Sequence, residues 1–348
     1  MWGLVFISFF DLGGHSLLVT RATASLRQIL GVAIPYNSII RFNSVEELAK
    51  EVQALQASAA ASQELWPKRA LIGGSYPSHL QLICSSFRAP VCALFVVHAI
   101  GGNVSFYSAF AEGIQSREQD VVIYGLVTDP GRPMSTLLQM SEAYACSIEQ
   151  LQLECPIILL GWSYGGIIAL AVEKVIKHSR VVLLDTPIPS LYRSVLRPAE
   201  VFSEIIDQLN NSQRLSLPLD RRLHLAETLK TKLVSNGLSW NQTPASLSFF
   251  RTELNLSHVV SDDDIFFMVQ TVINNFVALV NDSDSQTEGI PNEPLIIVAS
   301  HGLRLRPGFG AYLGWKPESV VLLDGDHDSV LRLADSRVLD HVLLFLKS

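Results

Sequence analysis

The chain has 348 residues, of which 48 % are hydrophobic and 17 % charged, with a formal net charge of −7. That length allows about two domains and a large core, while the negative balance and the lack of any basic stripe exclude a nucleic-acid binder. No apolar run approaches the ~20 residues a membrane span needs, and no membrane partner is expected.

Met1–Phe10 is apolar but has no basic segment ahead of it and no small-residue cleavage site before Asp11, which argues against a signal peptide. Cys84, Cys92, Cys146 and Cys155 follow no metal-ligand or secreted-scaffold spacing, so no metal and a cytoplasmic protein with reduced thiols are expected. Leu18, Ala22, Leu26, Ile29 and Leu30 then recur at helical spacing until Gly31. Ser16 stands at the start of that helix, after Gly13 and Gly14, where an attached phosphate would meet free amides and the positive end of the helix dipole. A second helix is predicted from Ser44, with Glu47 completing a capping box and Leu48, Val52 and Leu55 on one face. On residues alone this is a small helical bundle in which Ser16 could equally be an ordinary N-cap.

Asp11-Leu12-Gly13-Gly14-His15-Ser16-Leu17 resembles the core of a peptidyl carrier domain of nonribosomal peptide synthetases. The resemblance implies that Ser16 carries a covalent 4'-phosphopantetheine, attached by a phosphopantetheinyl transferase, and that upstream modules of a larger synthetase are partners. Such domains have a further helix before the motif, and only ten residues precede Asp11 here. Residues 1–55 are therefore expected to form a partial carrier domain lacking its first helix. Residues 56–89 read as a linker, low in complexity over Gln56–Ser62 and broken by Gly73-Gly74-Ser75-Tyr76-Pro77. Within it, Leu80-Gln81-Leu82-Ile83 is expected to pack against the next domain.

From about Pro90 the pattern changes. Strand-like runs occur at Val91–Val97, Val121–Leu126, Ile157–Leu160, Arg180–Leu184, Leu295–Ala299 and Val320–Leu323, mostly separated by helical stretches. That alternation predicts a mostly parallel sheet with helices on both faces. The break is a segment of about a hundred residues, 187–290, with a helix expected from Asp262 to about Leu279. An insertion of that length, late in the sheet order, suggests a helical lid.

Ile157–Leu160 runs straight into Gly161-Trp162-Ser163-Tyr164-Gly165-Gly166 and then into a small-residue helix. Gly-x-Ser-x-Gly alone is a weak signal, but a strand before it and a helix after it make a nucleophile elbow. A serine hydroxyl needs a base, and the base an orienting carboxylate. Nine histidines compete. His327 is best placed, in the loop Asp324-Gly325-Asp326-His327 after the last strand, because ligand chemistry in open α/β sheets sits beyond the strands' carboxyl ends. His301 also follows a strand and is the second candidate. Asp185, at the end of Arg180–Leu184, is the candidate acid, with Asp324 and Asp326 as rivals and a turn-capping role before Thr186-Pro187 as the plainer reading. His98-Ala99-Ile100-Gly101-Gly102-Asn103 closes the first strand of this domain. The backbone amides of Ile100 and Tyr164 are the candidate oxyanion pair.

Together these positions resemble the terminal thioesterase domains of nonribosomal peptide and polyketide synthases, over about Pro90 to Ser348. The resemblance implies an α/β-hydrolase fold with a helical lid, Ser163 as the acylated nucleophile, and Asp185 and His327 as its partners. It also implies a carrier-bound acyl or peptidyl thioester as substrate, released by hydrolysis or cyclisation. Two departures stand out. Ala99 replaces the usual proline of the oxyanion loop, which puts that loop's rigidity in question, and Ala171 replaces a common glutamate on the elbow helix. A stand-alone esterase, an editing thioesterase and a catalytically silent binding module of the same fold are the rival readings.

Overall fold

The structure, a computed structural model, describes residues 8–9, 22, 26, 29–30, 34, 38–42, 44–61, 77–86, 88–129, 132, 134–176, 178–186, 206, 217–235, 252, 270–272, 274–275, 278, 294–299, 320–325, 329–331 and 336–348. Among the described residues near the N-terminus, two helices have defined bounds, α1 (Ser38–Arg41) and α2 (Val45–Ala61), and Ala22, Leu26, Ile29 and Leu30 are helical as well. The capping box predicted at Ser44 is half visible: its Oγ accepts the Glu47 N–H at 3.3 Å, satisfying one orphan donor of α2. Ile39, 2 % exposed, gathers Phe9, Ala22, Leu26 and Leu48 around it, so the predicted helical faces do meet in a small apolar core. Helix α2 runs on through Ala61, because the alanine-rich stretch has high helix propensity despite its low complexity.

Among the described residues seven strands build one sheet: β1 (Leu80–Cys84), β2 (Cys92–Val97), β3 (Val121–Leu126), β4 (Ile157–Trp162), β5 (Arg180–Leu184), β6 (Leu295–Ala299) and β7 (Val320–Leu323). Their order is β1-β3-β2-β4-β5-β6-β7. Only β1 runs antiparallel, against β3; every other pair is parallel. Leu80–Ile83 thus packs against the following domain as an edge strand, the one strand whose sequence does not announce itself.

Every residue of β2 and β3 is buried, as a parallel strand covered on both faces must be. The pleat sends alternate side chains to opposite layers. Phe95, Val97, Leu159 and Leu183 join a cluster with α4 (Leu137–Glu149) and α5 (Tyr164–Val175). Leu94, Val96, Leu160 and Leu184 join the other, with α3 (Ser108–Arg117) and α7 (Ser336–Lys347). Helix α6 (Leu219–Ser235) lies within the long insertion between β5 and β6. Later in that insertion Gln270–Val272, Asn274, Asn275 and Ala278 are helical, and Ala278 reaches the α4–α5 layer of the core. Among the described residues no helix is long and apolar enough to cross a membrane.

Candidate active site

The register of the parallel strands puts their carboxyl ends side by side. Val97 of β2 pairs with Gly161 of β4, Trp162 with Leu184 of β5, Leu184 with Ile297 of β6, and Ala299 with Leu323 of β7. The residues that follow each strand therefore crowd one edge of the sheet: His98–Gly102, Ser163, Asp185 and Asp324-Gly325.

Ser163 sits between β4 and α5 with φ 55° and ψ −129°. That pair of angles lies outside even the small left-handed well open to L-residues, so the turn is strained at its central residue. Its neighbours hold it there. The Ser163 N–H donates to the Leu184 carbonyl at 3.0 Å, the Gly166 N–H to the Ser163 carbonyl at 3.1 Å, and the Trp162 N–H to the Tyr107 hydroxyl at 2.7 Å. Tyr107 donates its own proton to Val97 O at 3.2 Å, tying the ends of β2 and β4 together. The elbow's glycines are required by close approach. A Cβ on Gly161 would strike the backbone of Gly165 and Gly166, and one on Gly165 would come within 2.5 Å of Val97 O and 2.7 Å of His98 O. Ser163 stays half-exposed while the helix behind it is buried, the expected placement for a hydroxyl that must meet a substrate.

Asp185 is fully buried and also has positive φ, 41°. Its N–H donates to Ile297 O at 2.7 Å, and its Oδ1 accepts the Ala299 N–H at 3.2 Å. The carboxylate is thus anchored at the end of β6, beside the strand that leads to His327. Asp324, its described rival, is exposed, and an exposed carboxylate holds an imidazole less firmly than a buried one. His327, Asp326 and the second candidate base His301 lie outside the described residues, as does Ser16. Among the described residues no three His, Cys, Asp or Glu side chains cluster to hold a metal.

The loop after β2 is braced by groups the sequence alone did not single out. His98 is completely buried. Its Nδ1 faces the Ala99 carbonyl at 2.7 Å, a pure acceptor, so Nδ1 carries the proton, and Nε2 accepts the Tyr144 O–H at 2.6 Å. Burial pushes the imidazole pKa down to about 4, outweighing the opposite pull of the Ala99 bond, so the ring is neutral. The Gly102 N–H also donates to Ala99 O, at 3.0 Å, while Thr128 gives both N–H and Oγ–H to Gly102 O. Gly102 has φ +75°, and a Cβ there would strike the side chains of Thr128 and Thr271. Ala99 therefore sits in a hydrogen-bonded loop whose rigidity does not need proline. Tyr144 and Asn275, which donates to Ile100 O at 2.7 Å, join this loop across 46 and 175 residues of chain. Their one sequence signal is generic: a buried aromatic or amide with a polar tip must find a partner.

Tyr164 opens α5, so its amide lies at the helix N-terminus beside Ser163, and its ring packs inward with the hydroxyl 3.6 Å from Met140 Sδ. The arrangement offers a strained hydroxyl, an anchored carboxylate and a helix N-terminus at one sheet edge.

Two family models match the chain: the phosphopantetheine attachment site over residues 7–52 and the thioesterase domain over residues 93–233. The dimodular nonribosomal peptide synthase of Bacillus subtilis (strain 168) is 30 % identical over 186 residues, 51 % of this chain and 7 % of that protein. The malpinin synthetase of Mortierella alpina is 29 % identical over 188 residues, 51 % of this chain and 2 % of that protein. The chain thus spans only a small part of these relatives' length. A crystal structure of a four-domain nonribosomal peptide synthetase, in its holo form with AMP and glycine, aligns with 99 % of this chain over 24 % of its own. Its TM-score is 0.56 at 18 % identity, a likeness of fold. The described N-terminal residues, helical around Ile39, agree with a carrier bundle. The chain carries a phosphopantetheine attachment site followed by a type I thioesterase domain with the α/β-hydrolase fold, the pairing of nonribosomal peptide synthetases.

Proposed function

We propose that the chain releases an acyl or peptidyl chain from its carrier through a covalent ester on Ser163. The observation that carries this reading is the strained φ 55°, ψ −129° conformation of Ser163 between β4 and the N-terminus of α5, one strand away from the buried Asp185. A strained serine persists where its surroundings over-determine it and where reactivity gains from its exposure.

Ser16 would hold the 4'-phosphopantetheine, whose thiol would present the acyl group as a thioester. Ser163 Oγ attacks the thioester carbonyl while its proton passes to His327, held in orientation by the Asp185 carboxylate. The developing oxyanion is received by the amides of Ile100 and Tyr164. Collapse expels the thiol, which takes the proton from the imidazolium and leaves the acyl group as an ester on Ser163. Water, or a hydroxyl or amine of the same acyl chain, then loses its proton to His327 and attacks the ester, restoring the serine as the product leaves. A thioester is a reactive acyl donor, so the protein's main contribution is positioning. The upstream modules of a synthetase and a phosphopantetheinyl transferase are the partners this reading requires. An intracellular location agrees with four free cysteines.

The test is labelling of the whole chain with a fluorophosphonate, with turnover of an acyl thioester of N-acetylcysteamine measured beside it. Labelling should map to Ser163, and Ser163→Ala should lower turnover on the order of the ~10⁶-fold seen when a triad nucleophile is lost. A variant keeping more than about a tenth of the activity sinks the assignment.

A further inference from the structure

Among the described residues of the insertion, Asn275 hydrogen-bonds the loop that follows β2. It is 1 % exposed, and its side chain meets the Ile100 carbonyl at 2.7 Å. A carbonyl oxygen can only accept, so the facing atom is the Nδ2 amide. Thr271, one helical turn earlier on the same face, is 6 % exposed and packs where a Cβ on Gly102 would stand. This helical stretch thus closes over the loop from one side. His98 and Thr128 grip the same loop, at Ala99 O and Gly102 O.

The consequence follows from peptide geometry. In a trans peptide the carbonyl of residue 99 and the N–H of residue 100 point in opposite directions. Ala99 O is held by the His98 Nδ1–H and the Gly102 N–H, which fixes the plane from behind and turns the Ile100 N–H the other way. The next plane is fixed by Asn275 at Ile100 O. Ile100 is therefore clamped through both of its peptide units, by the end of β2 on one side and by the insertion on the other.

We propose that Asn275 is a positioning residue that holds the Ile100 amide in its oxyanion-binding orientation, so that the oxyanion hole is completed by the insertion between β5 and β6. This rests on the reading of Ser163 and Ile100 given above. Asn275 touches no reacting atom; it acts through the Ile100 peptide. Losing a direct oxyanion donor costs about 10²- to 10³-fold in rate, and losing a group that orients the donor costs less.

The experiment uses the whole chain and a fluorophosphonate, whose phosphonyl oxygen occupies the oxyanion position as it reacts. Asn275→Leu keeps the shape and removes the donor. It should lower the second-order labelling rate of Ser163 by about 10- to 100-fold, counted per fully labelled site so that misfolded protein does not enter the rate. Asn275→Asp supplies a second readout. Protonated, the carboxyl can still donate to Ile100 O; ionised, it repels it. The variant-to-parent ratio of labelling rates should therefore fall as pH rises, a signature that loss of packing alone would not give. Labelling of Asn275→Leu within two-fold of the parent, or a pH-independent ratio for Asn275→Asp, overturns the role of Asn275 and leaves Ser163 intact. A parent that is not labelled at Ser163 overturns the catalytic reading and this proposal with it.

Discussion

Replacing Ser163 by glycine should make the protein more stable than replacing it by alanine, although both changes remove the same hydroxyl. Ser163 has φ 55° and ψ −129°. For a residue with a Cβ, such a sparsely populated conformation costs of order 1–3 kcal/mol. Alanine keeps the Cβ and therefore the cost. Glycine reaches these angles freely, but its looser unfolded chain takes back roughly 0.5–1 kcal/mol. The net advantage of glycine over alanine is then about 1 kcal/mol, which moves the unfolding midpoint by about 2–4 °C in a domain of this class of size. Urea unfolding of the two variants at one pH, checked for reversibility, measures the difference directly. Neither variant should hydrolyse thioesters, so no ligand-linked effect separates them. A glycine variant less stable than the alanine variant would show that the elbow stores no Cβ-dependent strain, and the inference from backbone geometry to a tensed nucleophile would fail.

Other outcomes follow from individual side chains. Burial lowers the His98 pKa to about 4 from its usual 6.5, so between those values the unfolded chain binds more protons than the folded one. Its contribution to stability is complete above pH ~6.5 and is lost as the pH falls toward ~4, reaching about 3 kcal/mol; urea midpoints of the parent should fall more steeply across that window than those of His98→Gln, and equal slopes would refute it. Asp185→Asn should lower kcat by about 10³- to 10⁴-fold through misorientation of the base; a normal rate there, with collapse in Asp324→Asn or Asp326→Asn, moves the acid to the histidine loop. Incubation with a phosphopantetheinyl transferase and coenzyme A should add the mass of one phosphopantetheine, abolished in Ser16→Ala, and attachment at any other serine would displace the carrier assignment.

The elements easiest to read were those whose signal is local. Four apolar residues before Gly161 and a small-residue helix after Gly166 identify β4, the turn and α5 without help from the rest of the chain. Central strands such as Cys92–Val97 are apolar throughout because both faces are covered, and that too is legible. Leu80–Cys84 was not, since one polar residue, Gln81, interrupts a run of five that follows a linker and pairs antiparallel at an edge. The bracing of the glycine loop lay further out of reach. His98 to Tyr144 spans 46 residues and Asn275 to Ile100 spans 175. No periodicity encodes contacts between elements that meet only when the sheet forms.

Those distant contacts share one physical task. At Ser163 a backbone that alone would relax is held by three hydrogen bonds, from the Ser163 and Gly166 amides and from Trp162 to Tyr107. At Ile100 a loop with alanine, where the resemblance leads one to expect proline, is held through Ala99 O and Ile100 O. Proline would restrict φ from within one residue. Hydrogen bonds from His98 and Asn275 restrict, from outside, the two peptides that follow, and they tie the restriction to the state of the fold around them. The local rule that a flexible residue makes a flexible loop fails here because rigidity is a property of the loop's partners. For the same reason Ala99→Pro should leave the labelling rate of Ser163 nearly unchanged in the parent, whereas in Asn275→Leu it should recover little, because proline fixes φ at residue 99 and does not reach the Ile100–Gly101 plane that Asn275 holds. Substantial recovery in the double variant would mean that the Ala99–Ile100 plane alone governs the hole, and that Asn275 is redundant with His98.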